Sequence, residues 1–190
     1  MTNEFLPKDY KVSSGSGDSY MRFEVGENRL RILTSPILGW EWWVDSQGNP
    51  REKGARPQQG DKPVRVPKDG EVPVGAVDTV KEFWAMPVWN YKEEKVQILE
   101  LTQKGIMRTV TALARDKEWG SPLNYDLNVI RQGEGLDTEY EVVPAPPKEL
   151  VKEAKEAWES KTVRLEALYE NGDPFGATPV EGSDPSGLVS

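Results

Sequence analysis

The chain has 190 residues, 36% hydrophobic and 29% charged, with a formal net charge of −8, a composition that supports one core of common size and excludes a wholly disordered chain. It contains no cysteine and no histidine, which removes disulfides, thiolate zinc sites, thiol nucleophiles and the commonest general base, and points away from an enzyme and from a bound metal or other cofactor. No run of about 18 apolar residues spans a bilayer, and the opening "MTNEFLPKDYK" lacks the basic and apolar blocks of a secretory signal, so a cytoplasmic protein without membrane contact is expected.

The charge is unevenly spread. Residues 29–68 hold eight bases against four acids, whereas the residues after Arg164 hold five acids and no base. A basic, aromatic segment early and an acidic end late give the molecule two electrostatic poles.

In chain order, residues 1–19 end in "SSGSGDS", too poor in apolar surface to fold, and predict a flexible arm. "YMRFEVGENRLRIL" predicts two short strands about a turn, Arg29 and Arg31 alternating with Leu30 and Ile32. "WEWWV" continues the alternation. Trp40 and Trp42 share one face at about 7 Å spacing and Trp43 faces away with Glu41, so the three rings divide between core and contact surface.

Residues 45–80, rich in Gly, Pro, Gln and Lys, read as a long loop in which only "VRV" resembles a strand. It carries Arg51, Lys53, Arg56, Lys62, Arg65 and Lys68, and loops of this length are functional or disordered. "KEFWAMPVWN", "YKEE" and "KVQILEL" predict a hairpin, with Trp84, Met86 and Val88 facing inward and Trp89 and Tyr91 flanking the turn. Thr102 offers a cap for a helix over 103–115, with Ile106, Val110, Leu113 and Ala114 as its stripe. "NYDLNVIRQGEGLDTEYEVVP" predicts two more strands about "GEG", with Tyr125 and Arg131 on one face, and Pro144 stops the ladder. A charged helix near Pro147 carries Leu150, Ala154, Ala157 and Trp158 as its apolar stripe.

The expected fold is mainly β with flanking helices. The order matches a five-stranded oligonucleotide-binding (OB-fold) barrel with a helix between the third and fourth strands and an extra hairpin strand. The barrel is expected over 20–145, a charged helical segment over 146–170, and a disordered acidic tail over 171–190.

Such a barrel binds single strands by stacking bases on aromatic rings and following phosphates with cations. The candidate contacts are Arg29, Arg31, Trp40, Trp42, Arg51, Lys53, Arg56, Lys62, Arg65, Trp89, Tyr91, Tyr125 and Arg131. Each cation taken alone also reads as a solubilising surface charge, and several tryptophans must fill the core. The "GEGL" glycines lack the Lys-Ser/Thr or following helix of a phosphate loop and read as a hairpin turn. Asp126 with Glu139 or Glu141 lacks a fixed common face for a two-metal nuclease.

"RFEVGENRLRIL", "FWAMPVWNYKEEKVQILELTQKGI" and above all "WGSPLNYDLNVIRQGEGLDTEYEVVPAPP" resemble the single-stranded DNA-binding proteins of tailed bacteriophages, over roughly residues 20–150. The resemblance implies an oligonucleotide-binding barrel that coats single-stranded DNA in phage DNA replication, recombination or repair, in the cytoplasm of the bacterial host. It also implies an acidic C-terminal tail that recruits replication or recombination proteins and competes with DNA for the cleft, and leaves room for self-association on DNA. Without Cys or His the chain matches the members that lack a structural zinc. Arg31, Trp89 and Tyr125 fall at the groove positions the resemblance implies. The alternatives are a carbohydrate-binding module, which also uses Trp platforms on a β scaffold but has no use for the loop cations, and a DNA-processing enzyme.

Overall fold

The computed structural model describes residues 19–176; the arm expected over 1–19, apart from its last residue, and the part of the acidic tail over 177–190 lie outside the described residues. Among the described residues, seven strands, β1 (Gly26–Ile32), β2 (Ile37–Val44), β3 (Lys62–Pro67), β4 (Lys81–Asn90), β5 (Lys95–Leu101), β6 (Leu127–Gln132) and β7 (Glu139–Pro144), and two helices, α1 (Lys104–Arg115) and α2 (Lys152–Glu159), make a mainly β fold. The strands form one antiparallel sheet in the order β3-β2-β4-β1-β6-β7, with β5 also paired to β4. No pairing joins β7 to β5 among the described residues, so the hydrogen-bonded sheet is open.

β4 organises the sheet. One of its edges pairs with β2 at Glu41↔Lys81 and Gly39↔Phe83, and then with β1 at Ile32↔Val88 and Arg31↔Trp89. β1 and β2 therefore behave as one long strand interrupted over residues 33–36. Pro87, which has no N–H to give, falls opposite the interruption, where its carbonyl accepts from the Leu33 N–H at 3.0 Å. A proline is tolerated in this interior strand because its partner breaks there.

Alternation sorts the side chains. The inner face (Leu30, Ile32, Met86, Val88, Leu99, Leu127, Val129) packs on Ile106, Met107 and Val110 of α1. On the outer face Phe83, Ala85 and Ile98 lie under Leu165 and Leu168, while Trp89 and Val96 lie under Ala154. The C-terminal segment is thus part of the same fold: residues 165–170 form a separate 3-10 stretch rather than prolonging α2, and Phe175, expected in the tail, packs against both outer clusters.

The hairpins β4–β5 and β6–β7 form where the sequence places them, and so does α1, except that it begins at Lys104 with Gln103 at its N-cap and no side-chain cap, so Thr102 does not cap it. Gly133 allows the last turn: its φ is +75°, and a Cβ there would meet the Asp137 carbonyl oxygen at 2.2 Å. Two further local expectations change. The strand expected over 20–25 is reduced to an isolated bridge between Tyr20 and Ile98, because the Asn28 side chain accepts from the Glu24 N–H and donates to the Glu24 and Val129 carbonyls, a local side-chain alternative to a ladder. The loop expected over 45–80 contains a full strand, β3, paired to β2 from Gly39↔Pro67 to Val44↔Lys62. Gly39 permits that pairing, since a Cβ there would sit 2.2 Å from the Val66 carbonyl oxygen. No helix among the described residues is long and apolar enough to cross a membrane.

Leu168, 1% exposed, tests whether the C-terminal segment belongs to the core. Leu168→Ala is expected to cost about 2–5 kcal/mol in urea unfolding while keeping one transition; an unchanged midpoint would mean that the segment stabilises nothing beneath it.

Candidate nucleic-acid interface

β2 and β3 project as a hairpin, and Arg65 fastens it to the sheet. Its Nε donates to Glu41 at 2.8 Å and its two terminal nitrogens donate to both Glu100 oxygens at 3.1 and 2.9 Å. The guanidinium also lies 4.6 Å from the centroid of the Phe83 ring. Burial pushes the Glu100 carboxyl up despite the Arg65 charge beside it. Arg65 is therefore spent on joining β2, β3 and β5, and its side chain is only 10% exposed.

The same alternation that turns Glu41 toward Arg65 turns Trp43 outward, and Trp43 is 47% exposed. It borders a cleft of 730 Å³ between the 51–57 loop, the start of β4 and the start of α1. Arg51, Lys53, Lys81 and Lys104 supply four cations to this cleft, against Glu52, Asp61 and Asp78. Asp61 is already paired with Arg51 at 3.3 Å. Arg51 also donates to the Arg56 carbonyl at 2.9 Å, which orders the loop. An exposed indole beside several cations offers a stacking face and phosphate partners together.

The other tryptophans are committed to the fold. Trp42, 5% exposed, packs with Val44 and Ala76. Trp89, 4% exposed, lies beneath α2 with Ala154 and Val96. Trp40 is half-buried: its Nε1 donates to the Lys68 carbonyl at 3.1 Å, and the Lys68 ammonium sits 3.7 Å from its ring centroid, held there by Glu82. The interior positions of Trp42 and Trp89 correct the expectation that they present rings to a strand.

A second cluster gathers residues expected in the groove around a wholly buried carboxylate, Asp126. Arg29 donates to its Oδ2 at 2.7 and 3.1 Å, Arg31 to its Oδ1 at 2.8 Å, and the Tyr91 hydroxyl to its Oδ1 at 2.8 Å. Lys148 reaches Oδ2 at 3.1 Å. Arg31 is 2% exposed and also donates to the Leu123 and Lys148 carbonyls. Tyr125 is fully buried, its hydroxyl donating to the Gly120 carbonyl at 3.2 Å, and Arg131 donates to the Phe23 carbonyl at 2.8 Å. Arg31 and Tyr125 are thus structural, not groove contacts, because each is consumed by partners inside the fold.

Burial works against the Asp126 charge, but the Tyr91 hydroxyl and the Arg29, Lys148 and Arg31 charges outweigh it and hold the carboxyl below its ordinary value. Burial pushes the Tyr91 hydroxyl up to about 12, with the Asp126 acceptor and charge adding to the effect.

Of the sequence candidates, Arg51 and Lys53 line the cleft, and Arg56 and Lys62 are exposed on the same hairpin and its loop. Arg29, 49% exposed on its side chain, stands with Tyr91 on the separate Asp126 cluster. Trp43, Lys81 and Lys104 were not singled out. Period-two alternation did set Trp43 apart from Trp40 and Trp42, but alternation does not say which face is solvent. No family model, curated protein or solved structure matches the chain.

Asp126→Ala leaves three cations converging on a buried void and is expected to cost about 3–5 kcal/mol, measured by urea unfolding at neutral pH. Stability from the depressed Asp126 carboxyl is present above about pH 3.9 and is lost as pH falls through its lower folded value. The raised Tyr91 hydroxyl acts in the opposite sense: its contribution is present below about pH 10 and is lost as pH rises toward 12. Tyr91→Phe is expected to remove that alkaline loss; an unchanged alkaline slope would place Tyr91 outside the network.

Proposed function

We propose that the chain is a non-enzymatic, sequence-tolerant single-stranded DNA-binding protein of the oligonucleotide-binding-fold type, acting in phage DNA replication, recombination or repair. The observation that carries the reading is the exposed Trp43 at a cleft bordered by Arg51, Lys53, Lys81 and Lys104. In this reading β1 and β2 together are the first barrel strand, β4 and β5 the second and third, and β6 and β7 the fourth and fifth. The helix α1 then falls between the third and fourth strands, as in that fold.

The mechanism follows from the two kinds of contact. A base stacks on the indole of Trp43, which favours every base alike because each has an aromatic face, at about 1–3 kcal/mol per stacked base. Arg51, Lys53, Lys81 and Lys104 neutralise the flanking phosphates and release counterions, which gives affinity without sequence readout. The sheet face beyond the cleft is already covered by residues 165–175. The acidic residues that follow, Glu181 and Asp184, lie outside the described residues. Their proposed role is to compete with the strand for the cleft cations and to recruit replication or recombination proteins.

Titration with oligothymidine at a series of salt concentrations tests the reading. Affinity is expected to fall with salt at a slope of about −0.7 per neutralised phosphate, and Lys53→Ala with Lys104→Ala to flatten that slope while weakening binding. Removing residues 177–190 is expected to tighten binding at low salt. A salt-independent interaction, or binding to oligosaccharide in place of oligothymidine, would contradict the assignment.

A further inference from the structure

The three residues that lead into α1 border two spaces. Thr102 and Lys104 line the Trp43 cleft, whereas Gln103 between them lines a separate hollow of 350 Å³. Consecutive Cα atoms are about 3.8 Å apart, so both spaces flank the same short segment. The remaining walls of the hollow come from residues 20–23, from Glu100 of β5 and from Arg131 of β6.

Two guanidiniums line this hollow. Met21 is buried in the inner core and its N–H donates to the Ile98 carbonyl at 2.8 Å, which fixes the segment and leaves the next residue, Arg22, exposed. Arg22 makes no ion pair among the described residues and acts on Glu100 only from beyond ion-pair distance. Arg131 is half-buried and held by its Nη1, which donates to the Phe23 carbonyl at 2.8 Å. Its Nε is closed off, so Nη2 is the nitrogen left for a ligand.

The carboxylate among these lining residues is Glu100, and both of its oxygens already accept from Arg65. Gln103 adds a neutral amide: its Oε1 accepts from the Thr102 N–H at 3.1 Å, which leaves its NH2 to donate. Two guanidiniums and an amide donor, with the one local carboxylate already neutralised, suit an anion rich in acceptor oxygens, and the guanidinium fork matches phosphate.

We propose that this hollow takes phosphates of the same strand whose base stacks on Trp43, so that a bound oligonucleotide runs from the 51–57 loop past Lys104 and Gln103 to Arg22 and Arg131. The inference rests on the single-strand reading and adds to it a path and a second set of contacts. A strand too short to leave the cleft gains less from these contacts than a long one.

Trithymidine and dodecathymidine, titrated over a series of salt concentrations, test the path. Arg22→Gln is expected to reduce the salt slope of dodecathymidine by about 0.7, the share of one phosphate, with a smaller effect on trithymidine. Gln103→Glu keeps the acceptor for the Thr102 N–H but sets a negative charge in the hollow, and is expected to weaken dodecathymidine about tenfold. Inorganic phosphate is titrated alongside, with the Arg22 Nε–H cross-peak in ¹H–¹⁵N spectra as the readout.

If dodecathymidine binds and neither variant changes its affinity or salt slope, the path is overturned and the single-strand reading stands. Losses in both variants, with no loss in Lys53→Ala/Lys104→Ala, would uphold the hollow and remove the Trp43 cleft as the principal contact. An Arg22 cross-peak that inorganic phosphate moves and dodecathymidine does not would overturn the path in favour of a free-anion site. If no oligothymidine binds at low salt, the path and the single-strand reading fall together.

Discussion

A single carboxylate without solvent contact, Asp126, ties together most of what the sequence presents as separate pieces. Burying a charge is costly unless it is surrounded by hydrogen-bonded partners, and Asp126 is met by Arg29 and Arg31 from β1, Tyr91 from the β4–β5 turn and Lys148 from the chain leading to α2. Arg31 extends the network into the backbone at Leu123 and Lys148. The position of β1 on the sheet and the path that carries the C-terminal segment across its outer face are fixed in one cluster. Placing α2 in turn buries Trp89, and the 3-10 stretch that follows buries Phe83 and Ile98.

The electrostatics of the chain divide accordingly. Arg31 and Arg65 are spent internally, one on Asp126 and the other on Glu41 and Glu100. Lys68 is spent on Glu82 and on the ring of Trp40. Beside Trp43, Lys53, Lys81 and Lys104 remain without a carboxylate partner among the described residues, whereas Arg51 is paired with Asp61. An acidic protein can hold a basic cleft in this way because local field, not net charge, governs what approaches it. The outer face of one sheet is then shared between a part covered by the C-terminal segment and an open part that carries Trp43.

Much of this architecture was legible in the sequence, for a physical reason: hairpins and amphipathic helices are written in short-range periodicity. β4–β5, α1 and β6–β7 all have their signals within a few residues. The partners of Arg29 and Arg31 stand 97 and 95 residues away, and no local pattern announces them. Trp89 reads as a ring beside a turn until α2, far along the chain, closes over it. "WEWW" shows the same limit, since alternation separates Trp43 from its neighbours but the packing of Ala76 on Trp42 decides which side is closed. At Tyr20–Val25 alternation was present and still lost to the side chain of Asn28.

In the proposed function a base of single-stranded DNA lies on Trp43. Photocrosslinking of an oligothymidine carrying bromodeoxyuridine, followed by peptide mapping of the adduct, tests it without perturbing the protein. The principal adduct is expected at Trp43, lost on competition with unlabelled oligothymidine and weakened at high salt. An adduct confined to Trp40, or no adduct at saturating strand, would contradict it.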